Sequence, residues 1–222
     1  MGIIVPEIFA VWKPKGPSSN GVLNRIRHFL GTRHVGHAGT LDPLAEGILV
    51  VGIGKGTKRL AMEVAKEKEY ETVIKLGARS QTDDCEGEEI ITEGVIEPSM
   101  DEIKKVVVSF IGIIDQVPPI WSAIKVKGKE SYKLAREGKE APLKSRKVEV
   151  KSAEILDYSW PYLNIRFTTG SGVYIRSLAR DIGDRLGTGG YMAELVRTRV
   201  GDFRAEDCLD IADISSPAVK VL

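Results

Sequence analysis

The chain has 222 residues, of which 42% are hydrophobic and 28% are charged, and this composition is ordinary for a soluble globular protein. No apolar run approaches the roughly 18 residues of a membrane span, and the first residues lack the basic and apolar regions of a secretory signal. Two cysteines that lie far apart, Cys85 and Cys208, argue against a disulfide scaffold and against a metal site. We therefore expect a cytoplasmic protein with no membrane segment.

Hydrophobic spacing and turn residues predict alternating helices and strands along the chain. A helix is predicted to begin after a cap at Ser18 or Ser19 and to end at Gly31. The later predicted elements are a buried strand at 48–53, a short helix from Thr57, a strand at 69–76, a helix capped by Ser99 and Glu102 and ended by Gly112, a short helix at 132–137, paired strands at 148–158 and 162–169, and a helix at 174–186. This interleaving predicts one α/β or α+β domain.

Positive charge is concentrated in three regions, although the net charge is only +1. These regions are residues 13–37, which hold all three histidines and no acid, residues 125–147, and the arginine-rich residues 176–204. Acidic residues are concentrated elsewhere, as in 83–89. Segregated charge of this kind indicates one positive face and favours a polyanion as the partner. For any single cluster, a solvated helix or hairpin face is the simpler interpretation.

Residues 36–47 are the most informative segment, with the sequence Gly-His-Ala-Gly-Thr-Leu-Asp-Pro-Leu-Ala-Glu-Gly. A single aspartate, Asp42, lies between Leu41 and Pro43. Proline fixes φ and glycine permits positive φ, so the pattern predicts a rigid loop that aims the carboxylate and leads into a buried strand. A simple turn that begins at Asp-Pro explains the same residues without any catalysis.

Seven short motifs follow one another along the chain in a recognisable order. They begin at residues 13, 36, 54, 68, 81, 116 and 172 and read Lys-Pro-Lys-Gly-Pro-Ser-Ser, the 36–47 segment, Gly-Lys-Gly-Thr-Lys, Lys-Glu-Tyr, Gln-Thr-Asp-Asp-Cys-Glu-Gly, Gln-Val-Pro-Pro-Ile-Trp-Ser-Ala and Gly-Val-Tyr-Ile-Arg. In this order and at these spacings, they resemble the TruB-type RNA pseudouridine synthases. The resemblance implies a mixed, mostly antiparallel central sheet flanked by helices, and a single catalytic domain over residues 1–222.

The same resemblance implies a reaction and a partner. The expected reaction is isomerisation of a flipped-out uridine to pseudouridine, at position 55 in the T-loop of tRNA, with no cofactor and no metal. We therefore expect a monomer that binds the T-stem-loop. The reaction breaks a glycosidic bond and rejoins the same base through C5, so one carboxylate in a dry pocket suits it better than the two carboxylates of a glycosidase. Attack of Asp42 at C1′ and initial action at C2′ both stay open.

Roles for six other side chains also come from the resemblance. Arg176 is expected to neutralise Asp42, which must stay ionised while it is buried. Tyr70 is expected to stack on the uracil and to act as a base for the C5 proton. The remaining expected binding residues are His37, which fills the space left by the flipped base, Tyr174 and Leu195, which wall the uracil pocket, and Lys13, which braces the site or meets phosphate. From the residues alone, Tyr70 is more simply a core residue and Arg176 a surface arginine.

Two further expectations and several alternatives accompany this interpretation. Residues 125–147 are expected to form a mobile arm that orders over the RNA, and no C-terminal PUA-type domain is expected. A metal trio of His28, His34 and His37 is a competing interpretation, but its spacing is not that of zinc enzymes. The alternative functions are a pseudouridine synthase acting on rRNA or mRNA, a catalytically silent RNA-binding module, and a small-molecule glycoside hydrolase or nucleosidase.

Overall fold

The structure is a computed structural model that describes residues 4–126, 128–139, 142–210 and 220–221. The chain divides into two compact units, the first formed by Met1–Glu71 with Leu195–Leu222 and the second by Thr72–Glu194. Each unit is described by itself below. The single catalytic domain over 1–222 stays a prediction, and parts of that range lie outside the described residues. Three residues of the predicted arm, Lys127, Glu140 and Ala141, also lie outside them.

Strands make up much of the described chain. They are β1 (Ile4–Val5), β2 (Ile8–Lys13), β3 (Val35–His37), β4 (Glu46–Ile53), β5 (Lys68–Leu76), β6 (Ala78–Ser80), β7 (Glu89–Ile91), β8 (Gly112–Gln116), β9 (Lys125–Val126), β10 (Lys129–Glu130), β11 (Arg146–Ser159), β12 (Tyr162–Thr169), β13 (Gly190–Val200), β14 (Cys208–Leu209) and β15 (Lys220–Val221). The predicted strands at 48–53, 69–76, 148–158 and 162–169 are confirmed as β4, β5, β11 and β12.

The predicted helices are also present. They are α1 (Ser19–Leu30), α2 (Leu60–Ala65), α3 (Met100–Val108), α4 (Ser131–Arg136) and α5 (Ile175–Leu186), with 3₁₀ helices at Gly54–Arg59 and Ala205–Asp207. Ser18 is the cap of α1, because its side chain accepts a hydrogen bond from the Gly21 N–H, and Gly31 ends the helix in the left-handed region. The predicted end of α3 at Gly112 is wrong. The helix ends at Val108, and Gly112 is the first residue of β8.

In the first unit, β4 is the centre of the sheet and of the core. It pairs antiparallel with β2 and β3 and parallel with the second half of β13. Residues on both of its faces are buried, which explains its uninterrupted apolar sequence. Leu49, Val51 and Ile53 pack with the apolar stripe of α1, and Ile48 and Val50 pack in a second cluster on the other side. This doubly buried strand fixes the position at which the loop before it ends.

The second unit is built on antiparallel strand pairs. The strands β11 and β12 form a long hairpin, and β8 pairs antiparallel with the other edge of β11. Helix α3 packs against α5. The strands β9 and β10 form a short hairpin before α4, within the predicted RNA-binding arm, and its mobility stays a prediction. Strands that are mostly antiparallel, with helices beside them, confirm the predicted α+β class.

None of the described helices is long and apolar enough to span a membrane.

Candidate active site

Asp42 lies in the loop between β3 and β4, residues 38–45, which we call the reactive loop. The side chains of Ala38, Leu41 and Ala45 are buried, so the loop is anchored by apolar contacts at both ends and next to the aspartate. The Asp42 side chain itself is half-buried. A half-buried residue between buried ones places the carboxylate at the boundary between core and solvent, where a reacting group can meet a substrate.

Lys13 anchors the second half of the reactive loop from the end of β2. The side chain is fully buried, and its Nζ atom donates hydrogen bonds to the carbonyl oxygens of Pro43 and Ala45 at 3.4 and 2.5 Å, and to that of Pro14 at 2.9 Å. Burial lowers the pKa of the Lys13 ammonium, and the negative charge of Asp42 opposes this shift. An ammonium that is enclosed in this way has no face left for phosphate. Of the two roles expected for Lys13, the geometry favours bracing the site.

A buried hydroxyl anchors the residue immediately before Asp42. Ser19, at the start of α1, donates its hydroxyl to the Leu41 carbonyl oxygen and accepts from the Leu41 N–H, both at 2.8 Å. The carbonyl oxygen of Asp42 accepts from the Ala45 N–H at 3.1 Å, so the main chain forms a turn at this point. The turn of the simpler interpretation is therefore present.

The third anchor of the reactive loop is Arg197, a residue for which the sequence predicted no site role. It lies on β13, has only 1% of its surface exposed, and donates hydrogen bonds to carbonyl oxygens on both sides of the loop. Arg197, Arg176 and Lys13 belong to the basic clusters that were predicted to form a positive face. All three are buried, so they contribute nothing to a solvent-facing positive surface. The available signal was a basic residue two positions after an apolar one on a strand, which puts it on the buried face with Leu195.

His37 is the last residue of β3 and directly precedes the reactive loop. Burial lowers the pKa of its imidazole, and the positive charges of Arg197 and Arg27 lower it further, while a backbone hydrogen bond with Gly39 opposes the shift. The lowered pKa favours the neutral form of the imidazole. A neutral ring suits contact with a nucleobase better than contact with phosphate.

Tyr70 lies on the buried face of β5, two residues from Lys68. Alternation along a strand puts both side chains on the same face. The Lys68 ammonium donates to the carbonyl oxygens of Val64 and Lys66 at 2.8 and 2.7 Å, and its Cε atom lies close to Gly39 of the reactive loop. Burial lowers the pKa of Lys68 to about 8. This face of β5 therefore approaches the reactive loop.

Leu195 is buried at the point where β13 enters the first unit. It lies two residues before Arg197, so the two side chains share the buried face of the strand. Lys13, His37, Asp42, Tyr70 and Leu195 thus all belong to the first unit.

Tyr174 caps the start of α5 in the second unit, and its backbone is held by a buried amide. Gln116 accepts from the Tyr174 N–H at 2.9 Å through Oε1 and donates to the Tyr174 carbonyl oxygen at 3.1 Å through Nε2. The Arg146 guanidinium lies 5.0 Å from the centre of the Tyr174 ring and donates to the Gly172 carbonyl oxygen. The amide therefore fixes the Tyr174 backbone, and the guanidinium lies near its half-buried ring.

Arg176 lies in the first turn of α5 and has a buried acidic neighbour, Asp84, that was not predicted from the sequence. Its Nη1 atom lies 3.3 Å from Asp84 Oδ2 and 3.3 Å from the Thr82 carbonyl oxygen. Asp84 is itself fixed, because its Oδ1 atom accepts from the Thr82 hydroxyl and from the Glu86 N–H. One turn later, Arg180 pairs with Asp83 at 2.8 Å. The motif around residues 81–87 is therefore an ion-paired loop against α5.

Metal-ligand geometry is not found among the residues that the structure describes, since no three His, Cys, Asp or Glu side chains gather there. The competing metal trio of His28, His34 and His37 is thus not assembled. The backbone of the reactive loop is held by three buried anchors, Lys13, Ser19 and Arg197.

The sequence matches known family models along most of its length. Residues 27–175 match the model described as TruB family pseudouridylate synthase (N terminal domain), and residues 176–220 match that of the tRNA pseudouridylate synthase B C-terminal domain. The chain belongs to the TruB family. The two matched regions together contain every site residue expected from the sequence except Lys13. The lack of a PUA-type domain stays a prediction.

Two curated members of the TruB family illustrate the similarity. Both are named tRNA pseudouridine synthase B. The protein of Trichormus variabilis (strain ATCC 29413 / PCC 7937) is 41% identical over 207 residues, which cover 92% of this chain and 70% of that protein. The protein of Mycobacterium sp. (strain KMS) is 44% identical over 204 residues, which cover 90% and 69%.

A solved structure titled "Crystal Structure of a Cbf5-Nop10-Gar1 Complex" has a similar fold. It superposes with a TM-score of 0.71 at 29% sequence identity, and it covers 92% of this chain. The present chain spans about half of that chain, 52% of its length. The pseudouridine-synthase-like fold that the sequence predicted is confirmed.

The buried ammonium of Lys68 predicts a pH dependence of stability. Burial lowers its pKa from 10.5 to about 8, so between these values the unfolded chain binds more protons than the folded protein. Stability due to Lys68 therefore rises with pH across this window. Relative to Lys68→Met, the parent should gain up to about 3 kcal/mol in unfolding free energy between about pH 7.5 and about pH 10.5. Urea unfolding of both proteins measures the difference in unfolding free energy. A difference that stays constant with pH contradicts the lowered pKa of Lys68.

The ion pair of Arg176 with Asp84 predicts a large loss of stability when Asp84 is replaced by a neutral residue. Both side chains are at most 7% exposed, so Asp84→Asn removes a buried negative charge that lies against the guanidinium and should cost about 3 kcal/mol in unfolding free energy. Asp115→Asn is the matched control, because its pair with Lys147 is 62% and 74% exposed and should be worth less than about 0.5 kcal/mol. Equal losses in the two variants, measured by urea unfolding, would show that burial does not set the strength of the pair.

Proposed function

We propose that the protein isomerises a flipped-out uridine of tRNA to pseudouridine. The observation that carries the proposal is the Asp42 loop: a single carboxylate on an anchored backbone, within the region that matches the TruB family. Relatives at 41–44% identity are named tRNA pseudouridine synthase B, which supports tRNA as the substrate class. Position 55 in the T-loop is the specific site that we propose.

Asp42 is proposed to supply the carboxylate that acts on the ribose of the target nucleotide. Breaking the bond from N1 to C1′ develops positive charge at C1′, which a carboxylate can stabilise or capture. The released uracil turns over and bonds through C5, so the base must stay in the site and water must stay out. A carboxylate on a fixed backbone suits both steps of this reaction, because it occupies the same position before and after the base turns.

The neighbouring side chains have proposed roles around the flipped nucleotide. Extruding a paired or stacked base costs a few kcal/mol, and a neutral side chain that fills the vacated space lowers this cost. His37 is proposed for that position. Tyr70 is proposed to stack on the uracil and to act as the base that removes the C5 proton, with Tyr174 and Leu195 as walls of the pocket.

Arg176 is proposed to be the cation that keeps Asp42 ionised. Its support comes from the second unit, where the guanidinium is buried and oriented by Asp84 and by the Thr82 carbonyl oxygen. An oriented cation is worth more electrostatically than a mobile one, because no reorganisation is needed during the reaction.

Further parts of the proposal follow from a tRNA substrate. We propose a monomer that acts in the cytoplasm without a metal or cofactor. The exposed lysines of residues 125–147 would contact the phosphates of the stem-loop. Related alternatives are action on rRNA or mRNA and a silent RNA-binding module. A module that only binds RNA has no need for the anchored Asp42 loop.

Replacing Asp42 tests the proposal directly. The parent protein is incubated with a T-stem-loop RNA that carries tritium at uridine C5, and tritium release is followed with and without a chelator. We expect release by the parent in both conditions and none above background by Asp42→Asn, because an amide cannot capture or stabilise C1′. RNA affinity should stay within about threefold, since the substitution keeps the shape of the side chain.

Glu46→Gln is the matched control, because it removes the same charge from the residue where β4 begins. It should keep most of the activity. An active Asp42→Asn variant, or loss of release in the chelator, would falsify the proposed chemistry. An inactive parent that still binds the RNA would favour the silent module, and release from an rRNA fragment in place of the T-stem-loop would reassign the substrate.

A further inference from the structure

Arg197 joins the two ends of the reactive loop. It lies on β13 directly opposite Gly47 of the parallel strand β4. Its Nε atom donates to the Ile48 carbonyl oxygen at 2.7 Å. Its Nη1 and Nη2 atoms donate to the carbonyl oxygens of Thr40 and Gly39 at 3.4 and 3.2 Å. One guanidinium thus connects the segment before Asp42 with the strand that follows it.

The chemistry of this contact requires an arginine. A guanidinium presents donors on three nitrogen atoms in a fixed plane, so it can bond to acceptors that lie on different sides. A lysine ammonium has a single nitrogen atom and cannot bond to Ile48 on one side and to Gly39 and Thr40 on the other. All three hydrogen bonds of Arg197 go to main-chain carbonyl oxygens, so its contacts fix the backbone of the loop.

Gly47 allows β13 to approach closely enough for this contact. It has φ of +117°, and a Cβ atom at this position would overlap the main chain of Arg197. Any larger residue would therefore push the two strands apart and withdraw the guanidinium from the loop. The same glycine ends the 36–47 segment, so the sequence feature and the arginine contact serve one arrangement.

Contact with RNA does not explain Arg197. Its side chain is almost completely enclosed, so it cannot meet a phosphate. Burying a cation is costly unless hydrogen bonds compensate for the lost hydration, and here carbonyl oxygens of the loop and of β4 provide them. The charge of Arg197 also raises the local positive potential. This potential contributes to the lowered pKa values of Lys68 and Lys13.

We propose that Arg197 is a positioning residue for the proposed reaction: it holds the reactive loop, through Gly39 and Thr40, at the place from which Asp42 reacts. The inference rests on the proposed function. Its consequence is specific, because a residue that positions Asp42 without touching RNA affects the chemical step and leaves RNA binding unchanged.

Three variants test the inference. Tritium release is measured in single turnover with enzyme in excess, and RNA affinity is measured separately. A misplacement of about 1 Å can slow a reaction about 100-fold, and we expect a loss of this order for Arg197→Gln. Arg197→Lys keeps the charge and one direction of bonding, so its loss should be roughly tenfold. The affinity of both variants for RNA should stay within about threefold of the parent.

Arg199→Gln is the matched control. Arg199 lies on the same strand, but it pairs with Glu67 at 2.7 Å and donates to the Gly201 carbonyl oxygen, away from the reactive loop. Its single-turnover rate should stay within about threefold of the parent. An Arg199→Gln loss as large as that of Arg197→Gln would mean that the charge of β13 matters in general, and it would overturn the inference.

A second measurement does not depend on activity. Hydrogen exchange, followed by mass spectrometry, should become faster over residues 38–45 in Arg197→Gln and should stay unchanged over α5. Unchanged exchange over the loop, or unchanged single-turnover rates in both Arg197 variants, contradicts the positioning role. If Arg197→Gln does not fold, Arg197→Lys decides by both measurements. An inactive parent instead overturns the proposed function, and the exchange result still decides whether Arg197 holds the loop.

Discussion

The reactive loop is held by hydrogen bonds between its backbone and three buried side chains, and the proposed chemistry depends on this arrangement. A buried carbonyl or N–H group needs a partner, and a loop cannot pair these groups in a ladder as a strand does. Lys13, Ser19 and Arg197 provide the partners from β2, α1 and β13. The loop is therefore fixed at its start, its middle and its end, and Asp42 is left at the boundary with solvent.

This arrangement concentrates buried positive charge next to the reactive loop. Lys13, Lys68 and Arg197 are all buried in the first unit, and each is solvated by carbonyl oxygens in place of water. Burial and the charge of Arg197 lower the pKa values of both lysines, so the cluster costs stability. The apolar packing on both faces of β4 offsets such a cost. The positive potential of these cations would stabilise the proposed reacting anion at Asp42.

Much of the fold could be predicted from local sequence. The cap of α1, the capping box of α3 and the alternation of β5 each depend on residues close together in the chain, so the pattern contains the answer. The end of α3 could not be predicted in this way, because pairing of β8 with β11 takes Gly112 into a strand. Tertiary pairing decided that boundary.

The site could be predicted only in part, and the reason is again distance along the chain. Asp42 stood out because proline and glycine surround it. Arg197 and Asp84 did not, because charge counting cannot distinguish a surface cation or anion from one that lies buried against a partner. Arg197 lies 158 and 157 positions along the chain from its acceptors Gly39 and Thr40.

The most direct test of preorganisation is a pair of crystal structures, one of the free protein and one of Asp42→Asn bound to the T-stem-loop RNA. The anchored backbone predicts that residues 38–45 superpose within about 1 Å on the fixed strand β4, with the bonds from Lys13, Ser19 and Arg197 present in both structures. A loop that moves by more than about 2 Å on binding, or that exchanges these bonds for contacts with RNA, would contradict the account.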